Sequence, residues 1–379
     1  MVKGDLLSLI LYLTLFFVSS TLLFFGHKYH KKYLNAFGLF LLIALMGLRY
    51  KTGIDTDNYQ NIYKILSNIS WDEYLNTGYR SIYEPFTFIL AQLSSVFSRS
   101  SLFFFTFYSV TTILFFYFGV KRILPKYSWL ALLFYCLLFL SPAMNGMRQF
   151  AAISVVFYAT TLIMAENQTN KTLRFCALIF FGFLLHSSAI CFLCVLPLYW
   201  LNKKISKLPT ITVLLFYLSA ATVMVVLGCL LIQNIQYLPI LNRYTYLLEF
   251  DMANTPKPNL ISRSAPFIIF LAFLFPLCQK DRTNSLFLGV LSLLALLFSL
   301  IGFIVPYGYR ISDYFLVFQI LLFIKIIASS EEGKLFRVYI TLFMLYCLGY
   351  FIYSAFINNS HGIFPYNIIF SKFMIYIGL

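Results

Sequence analysis

Arg49, Lys51, Asp55 and Asp57 crowd into the stretch Arg49–Tyr63, RYKTGIDTDNYQNIY, directly after the apolar run Leu34–Leu48. Charges of both signs at the end of a membrane span are costly unless they face water or a ligand. Gly53 permits a tight turn there. Asp55 or Asp57 can cap a short helix whose apolar face carries Tyr59, Ile62, Tyr63 and Leu66. Single polar residues also stand among apolar ones further on: Asn145, Arg148 and Gln149 in SPAMNGMRQ, His186 in LLHSSA, Arg243 in LNRYTY and Arg310 in PYGYR. These residue types suit the handling of an anion. Arg presents a fork that grips phosphate or carboxylate through paired hydrogen bonds. Arg148 opens an apolar run, where a helix N-terminus would add partial positive charge. A carboxylate such as Asp55, or the imidazole of His186, can take a proton from an attacking hydroxyl. Guanidinium groups can neutralise the charge developing on a leaving diphosphate without a metal. Each residue also has a plain structural alternative: Arg148 and Arg310 as surface anchors, Asp55 as a helix cap, His186 in a turn between short helices.

The chain that positions them is 61% hydrophobic and 11% charged, with a mean hydropathy of +0.83. That excludes a soluble domain and predicts an all-α, polytopic membrane protein, because each span must satisfy its own backbone hydrogen bonds. Expected spans are Leu6–Phe25, Leu34–Leu48, Leu102–Val120, Trp129–Ser141, Met147–Met164, Leu173–Leu185, Ser187–Leu201, Ile211–Ile232, Ala265–Cys278, Leu286–Val305, Ile311–Ile327 and Leu335–Phe356, about twelve, several short or re-entrant. The first reads as a retained span, not a signal peptide. Residues 83–97 carry Glu84, Pro85, Gln92, Ser94 and Ser95, and read as an interfacial helix that does not cross. With that choice, the clusters Lys28/Lys31/Lys32, Lys121/Arg122/Lys126, Lys171/Arg174, Lys203/Lys204/Lys207, Lys280/Arg282 and Lys334/Arg337 all fall on one side, the cytoplasm. The Arg-rich polar residues then converge outside. The net charge of +15 reflects this orientation signal, and nucleic-acid binding is not expected. Without a repeat or linker, residues 1–379 read as one membrane domain. The seven Cys all lie in apolar runs and read as packing residues, not disulfides or zinc ligands.

At these residues the sequence resembles the polysaccharide polymerases of bacterial surface glycans, the Wzy-type O-antigen and exopolysaccharide polymerases of the EpsG-like branch. The matching elements are R-x3-G-x-D-T-x2-Y (Arg49, Gly53, Asp55, Thr56, Tyr59), then YEP (Tyr83, Glu84, Pro85), then N-x2-R-Q (Asn145, Arg148, Gln149), then H-S-S-A from His186 to Ala189. They cover roughly the first 200 residues; the second half resembles the family by hydropathy and by Arg310. The resemblance implies a metal-independent glycosyltransferase, without a cofactor, of the bacterial inner membrane. It would join undecaprenyl-diphosphate-linked oligosaccharides on the periplasmic face for O-antigen, capsule or exopolysaccharide. Expected partners are that lipid-linked oligosaccharide, membrane lipid, and the chain-length regulator and flippase of the same pathway.

The expected roles follow. Arg49, Arg148, Arg310 and Arg243 bind diphosphate; Asp55 is the first choice of base and His186 the second; Tyr59, Asn145, Gln149 and Asp57 orient the acceptor. Asp55-Thr56-Asp57 spells the D-x-D of metal-dependent sugar-nucleotide transferases, but nucleotide sugars are not expected outside the membrane, and no metal is assigned. A membrane O-acyltransferase would also place a His in the membrane, though with its acyl donor on the cytoplasmic side. A lipid-linked oligosaccharide flippase would call for two pseudo-symmetric halves, and no internal repeat is visible.

Overall fold

A computed structural model describes residues 3–97, 100–165, 170–233, 259–273, 281–303, 308–330 and 333–368. Among them the regular structure is helical, apart from one isolated antiparallel bridge between Arg49 and Ile368. Among the described residues eight helices are long and apolar enough to cross a membrane: Leu6–Lys28, Leu102–Ile123, Pro125–Asn145, Met147–Met164, Ser187–Ile205, Arg282–Ile301, Arg310–Ser329 and Lys334–Ile357. The chain is therefore an integral membrane protein. The count of about twelve is not reached by this measure: Thr210–Ala220 counts among the shorter apolar helices, and Lys32–Gly47, Lys171–Leu185 and Leu260–Ala272 are helices of only 16, 15 and 13 residues. At 1.5 Å per residue the latter three reach about 20–24 Å, short of a hydrocarbon core of about 30 Å. The helix expected near residues 83–97 is Pro85–Phe97, also 13 residues and too short to cross unaided.

The chain forms two compact units, Met1–Ile190 with Val338–Leu379, and Cys191–Arg337, where the sequence reads as one domain. In the first unit, α1 (Lys3–Lys28) packs on α2 (Lys32–Gly47), and Ser19 Oγ donates to the Gly38 carbonyl oxygen at 2.6 Å. After a turn come α3 (Thr56–Asn68), α4 (Trp71–Asn76), α5 (Tyr79–Ile82) and α6 (Pro85–Phe97). Then α7 (Leu102–Ile123), α8 (Ser128–Asn145), α9 (Met147–Met164) and α10 (Lys171–Leu185) form a bundle around α9. Small residues on α9, Ala151, Ala152, Ser154 and Ala159, let its neighbours approach closely, as membrane helix contacts require. The second unit is built on Arg282–Ile301, with Lys325 Nζ 2.6 Å from Asp281 Oδ2 at its start.

The amphipathic reading of α3 holds: Tyr59, Ile62, Tyr63 and Leu66 are its buried face, with Asp55 at the N-cap. Gln92 of α6 donates to the carbonyls of Leu66 and Ile69 at 2.7 and 2.8 Å, satisfying oxygens that the end of α3 leaves open. The capping box of α4 (Ser70 with Glu73) and the Tyr74 hydroxyl, 2.7 Å from the Tyr83 carbonyl oxygen, fix the approach to Glu84.

After its last span the chain returns to the turn following α2. Gly53 N–H donates to Gly362 O at 2.8 Å, Ile54 N–H to His361 O at 3.1 Å, and Tyr50 N–H to Asn367 O at 2.8 Å. The Tyr12 and Tyr366 hydroxyls reach Ile363 O and Leu45 O, each at 3.0 Å. Gly362 has φ +64°, and a Cβ there would lie 2.8 Å from Ile54 Cγ1 and 3.1 Å from Ile54 N. Gly362→Val should therefore loosen this strap. The left-handed backbone alone costs a side chain about 1–2 kcal/mol, and limited proteolysis should cut after Ile357 well before it does in the wild type. A wild-type cleavage pattern would mean that the strap tolerates the side chain.

Candidate active site

The turn from α8 to α9 spends one residue, Gly146, and presents two helix ends side by side. The carbonyl end of α8 favours a cation and the amide end of α9 an anion. Arg49 occupies the first. One Nη donates to the Met46 carbonyl oxygen, the other to Met144 O at 2.8 Å, and the guanidinium lies 4.7 Å from the centre of the Phe105 ring. Only 3% of Arg49 is exposed. Burial pulls its guanidinium down to about 10, with Tyr59, Tyr12 and Tyr366 acting in the opposite sense.

Arg148 stands in the first turn of α9. Its Nη1 lies 2.5 Å from Glu84 Oε2, with 16% of the Arg148 and 13% of the Glu84 side chain exposed. The other carboxylate oxygen, Oε1, accepts the Ser187 N–H at 3.1 Å. The rings of Tyr59 and Tyr83 stand 5.9 and 5.8 Å from the Arg148 guanidinium, and its Nε finds no acceptor among the described residues. Glu84 thus ties α6, α9 and the turn after α10 to one point. Gly182 O caps the end of α10 by accepting His186 N–H at 2.9 Å. His186 is extended, and its Nδ1 lies 2.7 Å from Ser188 Oγ.

Asp55 joins the same cluster through its backbone: its N–H donates to Asn145 Oδ1 at 2.9 Å. Asn145 therefore links the cap of α3 to the α8–α9 turn. Asp57 is exposed on α3, and Gln149 is buried on α9. Hence Asp55, Tyr59, Asn145, Arg148 and His186 gather in the first unit, with Arg49 beneath the turn. Arg310 is exposed at the start of a helix in the second unit. Beside it Arg263 Nη2 lies 2.8 Å from Asp313 Oδ1, a pair that the sequence reading did not single out. Arg243 lies outside the described residues. Among the described residues no three His, Cys, Asp or Glu side chains stand close enough to hold a metal ion.

Glu84 is the site residue that sequence reasoning missed. In the sequence it stands in the YEP element of the resemblance and among the polar residues that keep 83–97 from crossing, but it is assigned no role in the site. The available signal was chemical: a lone acid in an apolar segment needs a partner, and buried carboxylates find it in Arg.

Neither a curated protein nor a solved structure matches the chain. The EpsG family matches residues 31–368, which takes in all four motifs and continues through the second unit to the strap. With nearly its whole length aligned, this chain belongs to the EpsG family.

Proposed function

We propose that the protein polymerises a surface polysaccharide. It acts on undecaprenyl-diphosphate-linked oligosaccharide repeat units at the outer face of the bacterial cytoplasmic membrane. The growing chain passes from its lipid carrier to the non-reducing sugar of a new unit, and the carrier diphosphate leaves. Membership of the EpsG family supports a polymerase-like role. The observation that carries the reading is the convergence on Glu84. Residues far apart in sequence, and each part of a separate motif, meet where a guanidinium with an unspent N–H stands at a helix N-terminus.

In this reading Arg148 and the amide end of α9 take the diphosphate and stabilise the charge it gains as the glycosidic bond breaks. A carboxylate of the cluster accepts the proton of the attacking hydroxyl, while His186 and Asn145 hold the acceptor sugar. Tyr83 offers a ring face to a sugar, and the buried Tyr59 backs the Arg148 guanidinium. The positive-inside arrangement of Lys supports an outward-facing site. The activated donor supplies the free energy, so ATP is not required.

The test is reconstitution. Purified protein in lipid nanodiscs, given lipid-linked repeat units from its host, should release undecaprenyl diphosphate and lengthen the glycan without ATP. Lengthening that needs ATP, or transfer of an acyl group in place of a sugar, would discard the reading.

A further inference from the structure

We propose that Glu84 is the proton acceptor of this reaction and that donor binding is what frees it: the incoming diphosphate displaces the carboxylate from Arg148. The inference rests on the polymerase reading and deepens it.

The starting geometry has a built-in conflict. Arg148 is the guanidinium best placed for an anion, at the amide end of α9, yet an internal anion already holds it at 2.5 Å. A diphosphate carries more charge than a carboxylate and can engage both Nη groups and the unspent Nε. It therefore competes well for the fork. Glu84 need not travel far when displaced, because Ser187 N–H retains its other oxygen at 3.1 Å. Losing a guanidinium and gaining an anionic neighbour both favour the protonated form of a carboxylate. A proton acceptor is thus created beside the donor only when the donor is present.

Asp55 fits the role less well. It stands at the N-cap of α3. Its backbone is tied to Asn145, which suits an orienting residue.

The step balances. The acceptor hydroxyl oxygen forms a bond to the anomeric carbon, and the bond from that carbon to the diphosphate oxygen breaks, its electron pair leaving on the diphosphate. The hydroxyl proton passes to Glu84. When the carrier diphosphate departs, Glu84 gives the proton to water and pairs again with Arg148, which resets the site.

Two measurements test this with full-length protein in nanodiscs: affinity for undecaprenyl diphosphate, and turnover of lipid-linked units. Glu84→Gln should bind the probe about fivefold or more tightly than the wild type, because the competing charge is gone. Its turnover should fall about a hundredfold or more, the usual contribution of a general base. Glu84→Asp keeps a carboxylate and should recover part of the turnover at wild-type affinity, which covers the case where the Gln variant fails to insert. A purely structural Glu84 would instead make binding and turnover fall together. That outcome, or Glu84→Gln turning over at the wild-type rate, overturns the proposal. A wild type that binds the probe but joins no units defeats the polymerase reading instead, and the affinity comparison still decides whether Glu84 and a diphosphate compete.

Discussion

Arg148→Ala should reduce the surface glycan of the host to single repeats while the protein still reaches the membrane. In the proposed reaction the guanidinium faces the charge that develops on the leaving diphosphate. Removing one such donor lowers turnover by about a hundred- to a thousandfold. The variant also strands Glu84, which is 13% exposed, without its cation. Breaking a buried pair on one side costs about 3–5 kcal/mol, so lost activity could be confused with lost folding. The double variant Arg148→Ala/Glu84→Gln reports on the fold, because it removes the stranded charge together with the proposed base. With no uncompensated charge left, its melting temperature in detergent should return most of the way to that of the wild type, while the glycan ladder stays collapsed. Arg148→Lys should also retain the fold and lose most of the chain length, since an ammonium lacks the planar fork. A full-length ladder from the double variant would remove both Arg148 and Glu84 from the mechanism.

Elements defined by local chemistry were legible in the sequence. The buried face of α3 followed from a 3.6-residue period, with Asp55 at the N-cap position but no side-chain cap hydrogen bond, and α9 spans Met147–Met164 as expected. The convergence expected from topology included Asp55, Asn145, Arg148, Gln149, His186, Arg243 and Arg310; the first unit groups Asp55, Asn145, Arg148 and His186, while Arg310 belongs to the second unit and Arg243 lies outside the described residues. What stayed hidden depended on pairing across long separations. Glu84 lies 64 residues from Arg148 and 103 from Ser187, and no local pattern announces such a partner. The strap is similar: Asn367 N–H donates to Thr52 Oγ1 across 315 residues, and its other bonds, such as Gly53 N–H to Gly362 O, use backbone groups that every residue type carries. The role of Arg49 was hidden for the opposite reason. An Arg beside a charged turn at a span end reads as facing water or a diphosphate, whereas Phe105, Met144 and Met147 pack around it.

Arg49 and Arg148 carry the same side chain in motifs of one family, and the structure predicts opposite phenotypes for them. Arg49→Met should destabilise the protein while leaving its affinity for undecaprenyl diphosphate intact at temperatures where the fold holds. With 3% of its surface exposed, Arg49 can meet an anion only if the α8–α9 turn opens. Its charge instead bridges Met46 O and Met144 O, carbonyls at the ends of α2 and α8 that have no continuing helix to accept from. Leaving such buried acceptors unpaired costs about 1–3 kcal/mol each. Part of that loss is offset, because burial disfavours the cation enough to bring it down to about 10. A net destabilisation of about 2 kcal/mol remains, estimated from the cost of unpaired buried acceptors. Arg49→Lys should recover less than half of it, since one ammonium on a shorter stem does not span both carbonyls in the plane of the Phe105 contact. Melting in detergent and probe titration at low temperature give the two readings. If Arg49→Met melted with the wild type and lost the probe, Arg49 would be a diphosphate ligand, and the guanidinium beneath the turn would have to rise to the surface for the reaction.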